Sequence, residues 1–93
     1  MVDRQKRLVV CDDEPVTLSA TEFDLLDYLM RHSQRVVTAR ELIREVQGYD
    51  VAEVDARPIV RVHIPSLRQK LRDDSEQPRY IANVRGKGYR FVG

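Results

Sequence analysis

Two short stretches near the start of the chain, the apolar run at residues 7–11 (RLVVC) and the alternating residues 16–19 (VTLS), have the pattern of strands. They read as two short strands, joined by Asp12-Asp13-Glu14-Pro15 as an acidic, exposed turn. The period then lengthens to that of a helix. Ser19-Ala20-Thr21-Glu22 has the form of a capping box, with a first helix running to about His32 and burying Phe23, Leu26 and Met30, with Leu25 and Leu29 beside them. Thr38-Ala39-Arg40-Glu41 repeats the signal and opens a second helix carrying Ala39, Leu42, Ile43 and Val46 at i, i+3, i+4 and i+7, closed by Gly48.

An acidic loop over residues 49–56 follows. Asp55 reads as the N-cap of a third helix, with Pro58 in its first turn, where a missing N–H does no harm. Val60, Ile64, Leu67 and Leu71 carry that helix to about Arg72, and residues 73–78 (DDSEQP) break it. Residues 80–84 and 89–92 then alternate as strands about Arg85-Gly86-Lys87-Gly88, whose glycines supply positive φ for a tight turn. The expected order is strand, strand, helix, helix, helix, strand, strand: an α+β fold in one domain, residues 1–93, with residues 1–6 expected to be disordered. No repeat, low-complexity tract or linker interrupts it.

Charge sharpens this outline. The net charge of +1 conceals two unlike halves. Residues 1–56 hold 7 Lys/Arg against 12 Asp/Glu, a balance of −5, whereas residues 57–93 hold 9 against 3, a balance of +6. Such asymmetry points to a half that faces a polyanion and a half that does something else, the bland alternative being a solvated basic face. On a wheel of roughly 100° per residue, Val60, His63, Ile64, Leu67 and Leu71 form the core face of the third helix. Arg57, Arg61, Arg68 and Arg72 gather on the adjoining face with Pro65, and Ser66, Val62 and Gln69 continue the turn. No acidic residue lies between Arg57 and Arg72, nor from Tyr80 to Gly93. Arginines on a helix of major-groove width contact phosphates or pair with guanine, and a cationic glycine-rich tip at Arg85 and Lys87 suits the DNA backbone or minor groove.

Other chemistries find little support. No apolar run approaches the ~20 residues that span a bilayer, and the first seven residues lack the apolar core of a secretory signal. The single cysteine, Cys11, excludes an internal disulfide framework, fits a reducing cytoplasm and reads as a half-buried strand residue. His32 and His63 have no metal-site spacing, so no metal or cofactor is expected, and His63 reads as a structural histidine bonded to backbone or to a DNA phosphate. Gly86-x-Gly88 lies between strands with no helix after it, which is not a nucleotide loop. Nothing sets up a nucleophile, so the chain is read as no enzyme. Residues 9–15 (VVCDDEP) look like the opening acidic pocket of a receiver domain, but helix signals take over at Ser19, and these carboxylates are read as turn residues.

Three segments together carry a family resemblance: residues 18–26 (LSATEFDLL), 36–43 (VVTARELI), and 62–71 (VHIPSLRQKL) followed by 84–91 (VRGKGYRF). They resemble the winged helix-turn-helix output domain of OmpR/PhoB-type response regulators over about residues 18–92. The resemblance implies three helices with an N-terminal β-hairpin and a C-terminal hairpin wing, and a cytoplasmic, sequence-specific transcription regulator binding double-stranded DNA. It makes residues 57–72 the recognition helix in the major groove, residues 38–47 the supporting helix, and residues 80–92 the wing on the flanking minor groove. His63, Arg68, Asn83 and Arg85 match DNA-contacting positions; with Arg57, Arg61, Gln69, Arg72 and Lys87 they form the candidate interface, backed by Thr38 and Arg40 on the supporting helix. Phe23 and Tyr89 match core positions. The loop 48–54, with Gly48, Tyr49 and Asp50, matches one that touches RNA polymerase, and the resemblance also implies a tandem homodimer on DNA and an upstream receiver domain absent from this chain.

The chain departs from that pattern in four ways. Gln47 stands where tryptophan is common, and Arg61 replaces a usual acidic residue. Pro65 and Ser66 occupy places where arginine or another polar residue is common. Pro65 removes the bond to the Arg61 carbonyl, so the helix is expected to bend there or begin late, at a cost of up to ~3 kcal/mol unless relieved. Only one hairpin precedes the first helix, where the family has a four-stranded sheet. Two other readings compete: a winged-helix module whose basic face docks an acidic protein, and a DNA-binding appendage of a larger enzyme.

Overall fold

The computed structural model describes residues 2–93. Three short strands, β1 (Val2–Asp3), β2 (Leu8–Cys11) and β3 (Glu14–Val16), form an antiparallel sheet in that order. The expected hairpin is therefore present with one strand more. Val2 pairs with Val9 and Asp3 with Leu8, so an ordered strand stands where the chain was expected to be disordered; the expectation for Met1 lies outside the described residues. The hairpin turn is tighter than expected. Asp12 and Asp13 both take positive φ, 51° and 63°, the two-residue turn whose twist suits adjoining strands. That brings β3 forward to Glu14, with Pro15 opposite Val10 in an edge strand, where a missing donor is tolerated.

The first helix, α1 (Ala20–Arg31), starts as the sequence predicts. Glu22 N–H donates to Ser19 Oγ at 3.1 Å and Ser19 N–H donates to Glu22 Oε1 at 2.9 Å. Phe23, Leu25, Leu26 and Leu29 enter the core, while Met30 stays half-buried. The second helix, α2 (Ala39–Leu42), has only half of its box. Thr38 Oγ1 accepts from the Glu41 amide at 3.1 Å, but the Glu41 carboxylate turns away to Arg35 and Tyr28. Ile43–Gln47 continues α2 as a π-helical turn, and Gly48 ends it at φ +82°.

The third helix, α3 (Glu53–Leu71), corrects two expectations. It begins two residues before Asp55, behind Ala52, with no side-chain cap, so Pro58 lies inside the helix and not in its first turn. It also runs unbroken through Pro65, neither starting late nor stopping there. The two prolines withhold donors from the carbonyls of Val54 and Arg61, and both of those residues are exposed, where solvent can satisfy the carbonyl in place of the missing bond. Burial of Val60, Ile64, Leu67 and Leu71 against α1 and α2 holds the helix in place of ideal backbone bonding.

Beyond α3 the chain returns as β4 (Ile81–Val84) and β5 (Gly88–Phe91), antiparallel, with Ile81 opposite Phe91 and Val84 opposite Gly88. Gly86, at φ +73°, turns the three-residue tip. The hairpin is not free-standing. Val37 and Tyr89 exchange backbone bonds of 2.7 and 2.9 Å, so the segment before α2 is stitched to β5. A Cβ at Gly88 would stand 2.2 Å from the Val37 carbonyl oxygen, which is why glycine is required there.

Candidate nucleic-acid interface

The first turns of α3 and the tip of the hairpin face one another across an open groove of about 240 Å³. Arg57 and Arg61 line it from the helix and Asn83, Arg85 and Lys87 from the hairpin, with Ala39, Tyr89 and Glu53 among the remaining lining residues. Four of the nine expected contact residues that carry positive charge or hydrogen-bond donors thus meet here as cations. Arg61, Arg85 and Lys87 make no ion pair among the described residues, and Arg57 is paired with Glu53 at 3.1 Å. The pairing of β5 with Val37 fixes the hairpin against α2, which holds its tip across from α3. Tyr89 is half-buried in this wall, and burial pushes its phenol above the ordinary range against the pull of Arg61 and Arg68.

The arginine face of the helical wheel divides along its length. Arg68 leaves the exposed set: it is 8% exposed, donates to the Ile81 carbonyl at 2.8 Å and to Asn83 Oδ1 at 2.5 Å, and lies 3.9 Å from Asp73. Arg72 ends the helix at φ 57° and pairs with Glu14 at 3.0 Å, in a groove shared with Cys11 and Pro15. The wheel missed this because it reports angle alone. Eleven residues separate Arg57 from Arg68, roughly 16 Å along the axis, and the hairpin's first strand covers the second while solvent meets the first. Ser66 is likewise turned inward and donates to Glu22 Oε2 at 2.5 Å.

The remaining candidates fall in several places. Gln69 is exposed beside Pro65 in a shallow groove with Asp73 and Asp74. His63 is half-buried next to the core, with no side-chain partner among the described residues. Thr38 is spent on capping α2. Arg40 is held by Asp50 through two bonds of 2.8 and 2.9 Å, which raises its guanidinium above the ordinary range. Tyr49 is 44% exposed and donates to Gln47 Oε1 at 3.1 Å, while Gly48 turns the chain beside it. The loop is shorter than expected, because Glu53 and Val54 belong to α3.

Two residues with structural consequence were not singled out from sequence. Asp73, fully buried at its side chain, accepts from the amides of Arg79 (2.7 Å), Tyr80 (3.3 Å) and Ile81 (3.0 Å), and so joins the end of α3 to the start of β4. Glu53 places a carboxylate in the cationic groove. Neither carries a local motif; each is recognisable only once the hairpin has folded back. Cys11 is more buried than expected, with Sγ 3.1 Å from the Tyr80 hydroxyl. No cluster of three or more metal-ligating side chains occurs among the described residues, nor is any of their helices long and apolar enough to cross a membrane.

Known proteins with this sequence and geometry form a consistent set. The family model described as "Transcriptional regulatory protein, C terminal" matches residues 13–91. The chain is 41% identical over 92 residues to the sensory transduction protein RegX3 of Mycolicibacterium smegmatis, covering 99% of this chain and 40% of RegX3. It is 42% identical over 83 residues to the alkaline phosphatase synthesis transcriptional regulatory protein SphR of Synechococcus elongatus, covering 89% of this chain and 32% of SphR. The chain thus spans well under half the length of these relatives. Among solved structures, the Klebsiella pneumoniae RstA DNA-binding domain, crystallised in complex with the RstA box, superposes with a TM-score of 0.89 at 34% identity, covering 98% of this chain and 88% of that one. The DNA-binding domain of CpxR from E. coli gives 0.81 at 30% identity, covering 99% and 88%. The chain belongs to the transcriptional regulatory protein C-terminal family, the winged-helix output domains of OmpR/PhoB-type response regulators.

Proposed function

We propose that this chain is the sequence-specific, double-stranded DNA-binding module of a transcription regulator, with α3 in the major groove and the β4–β5 wing on the flanking minor groove and backbone. The observation that carries the reading is the meeting of Arg57, Arg61, Arg85 and Lys87 in one groove between helix and wing. Cations converging from two elements suit a phosphodiester strand lying between them, while the exposed face of α3 at Val62, Pro65 and Gln69 is left for base edges. The related RstA domain, bound to its box, supports it. Within this reading Arg85 and Lys87 contact backbone, Asn83 presents its amide N–H groups outward because Arg68 holds its oxygen, and Arg68 positions the wing and does not itself meet DNA. The module acts in the cytoplasm, where its DNA lies.

Selection of bound duplexes from a random pool tests it. An enriched motif is the expected result, and two copies in direct repeat about one helical turn apart support a tandem homodimer. Retention of DNA with no enrichment overturns sequence specificity. No retention at all favours the competing reading, in which the basic face docks an acidic protein. A contact of Gly48, Tyr49 and Asp50 with RNA polymerase is a further part of the proposal, favoured by the exposure of Tyr49; loss of activation by Tyr49→Ala with DNA binding intact is its test.

A further inference from the structure

Glu53 supplies a carboxylate to a groove otherwise lined by Arg57, Arg61, Arg85 and Lys87. Its two oxygens are both in use. Oε1 accepts the backbone N–H of Arg40 at 2.8 Å, and Oε2 accepts from Arg57 Nε at 3.1 Å. From the groove's construction we infer that Glu53 is an internal competitor of DNA: anchored on the Arg40 amide, it neutralises Arg57 in the free protein and sets the groove's affinity for the DNA backbone. The inference rests on the groove being the seat of that backbone.

A carboxylate bonded to the Arg57 Nε–H offsets the guanidinium's charge and takes one of its donors, so a phosphate that approaches Arg57 meets a neutralised pair and not a free cation. The Arg57–Glu53 pair is partly exposed, with side chains 46% and 29% accessible, and pairs of that kind are weak enough to yield to a phosphodiester. Arg40 offers no alternative, because its own guanidinium is held by Asp50. The free groove therefore presents three unpaired cations, Arg61, Arg85 and Lys87, and a fourth that is released only when Glu53 gives way. Its net attraction for a polyanion is lower than its arginine content implies. A neutral residue at position 53 keeps the acceptor for the Arg40 amide and frees Arg57 in advance.

Binding to a fluorescent, mixed-sequence 24-bp duplex, titrated over a range of salt, tests this without knowledge of the target. Glu53→Gln is expected to bind roughly three- to tenfold tighter than the wild type near 0.1 M salt, with the log–log salt slope little changed, because Arg57 meets a phosphate in both complexes. Asp55→Asn removes one charge from the same turn of α3, but from an exposed side chain outside the groove, and is expected to change affinity less than twofold. Arg57→Ala is expected to bind more weakly and to abolish the gain from Glu53→Gln when the two are combined. Equal gains in Glu53→Gln and Asp55→Asn, or a gain that survives in the Arg57→Ala background, overturns the competitor role, as does no gain at all. Failure of the wild type to bind the duplex at low salt instead overturns the DNA reading itself.

Discussion

Arg68 in α3 donates to the side-chain oxygen of Asn83 in β4 at 2.5 Å, so recognition helix and wing meet through a bond that excludes most of the solvent from the guanidinium. The same guanidinium holds the Ile81 carbonyl and faces Asp73, whose oxygens in turn gather three amides at the start of the hairpin. The angle between helix and wing is therefore fixed by a buried charge network.

Removing Arg68 should cost fold stability before it costs DNA contacts. Arg68→Ala removes the donor to the Ile81 carbonyl and to Asn83 Oδ1 and the cation facing the buried Asp73 carboxylate, whose three amide bonds remain, at about 2–4 kcal/mol. Thermal unfolding should show Tm lowered by at least ~10 °C for a domain of this size. An unchanged Tm with lost DNA binding would return Arg68 to the contact surface.

The wing's seat on Val37 makes its two glycines unequal. At Gly86 a Cβ meets nothing within 4 Å, so Gly86→Ala suffers only from its φ of +73°, about 1 kcal/mol. At Gly88 the Cβ collides with the Val37 carbonyl, and β5 must move off the segment before α2. Gly88→Ala should lower Tm by more than twice as much as Gly86→Ala and weaken DNA binding as well. Equal effects in calorimetry would show that the Val37–Tyr89 stitch does not hold the wing.

Acid stability should depend on Glu22. Burial pushes its carboxyl up, but bonds from Lys70, Ser66 and Ser19 outweigh that and hold it at about 2, below the ordinary 4.5. A carboxyl depressed by folding stabilises the native state above its unfolded pKa and loses that contribution as pH falls from about 4.5 toward 2. The amount is about 2–3 kcal/mol. Urea unfolding of Glu22→Gln should therefore show lower stability than the wild type at pH 7 and a flatter profile between pH 5 and 2. Parallel profiles for the two proteins would rule Glu22 out as the titrating group.

The arginines of the third helix should behave differently from one another. Arg61→Ala should weaken DNA binding about tenfold and reduce the salt slope by about one, with Tm unchanged. Arg72, paired with Glu14 at the far end of α3, should cost little when replaced by alanine. Comparable losses at both positions, measured by fluorescence anisotropy, would mean that the bound surface extends along the whole helix.

Local signals carried most of the fold into the sequence, and non-local ones did not. The Ser19–Glu22 box, the Gly48 stop and the 3.6-residue spacing of Val60, Ile64, Leu67 and Leu71 are each complete within one turn or one helix, and all are found in the structure. The strand Val2–Asp3 was not legible, because two residues have no period and pair only once β2 exists. Asp55 has the right chemistry for a cap but sits inside a helix that packing of Ala56 and Val60 begins earlier. The site divides the same way. Arg57, Arg61, Arg85 and Lys87 follow from charge and turn chemistry, whereas the burial of Arg68, the Asp73 clasp and the Glu53 pairing depend on what folds back over α3.

Binding of the DNA backbone in the groove between α3 and the wing is tested most directly by one titration. The association constant of the wild type for a duplex from the random-pool selection is measured between ~50 and ~200 mM salt, beside Arg61→Ala/Arg85→Ala. The expected result is a steep linear fall of log K with log salt for the wild type, and a slope shallower by about two for the double variant at unchanged Tm. A wild-type affinity that stays constant across that range, or a double variant with the same slope as the wild type, would contradict it.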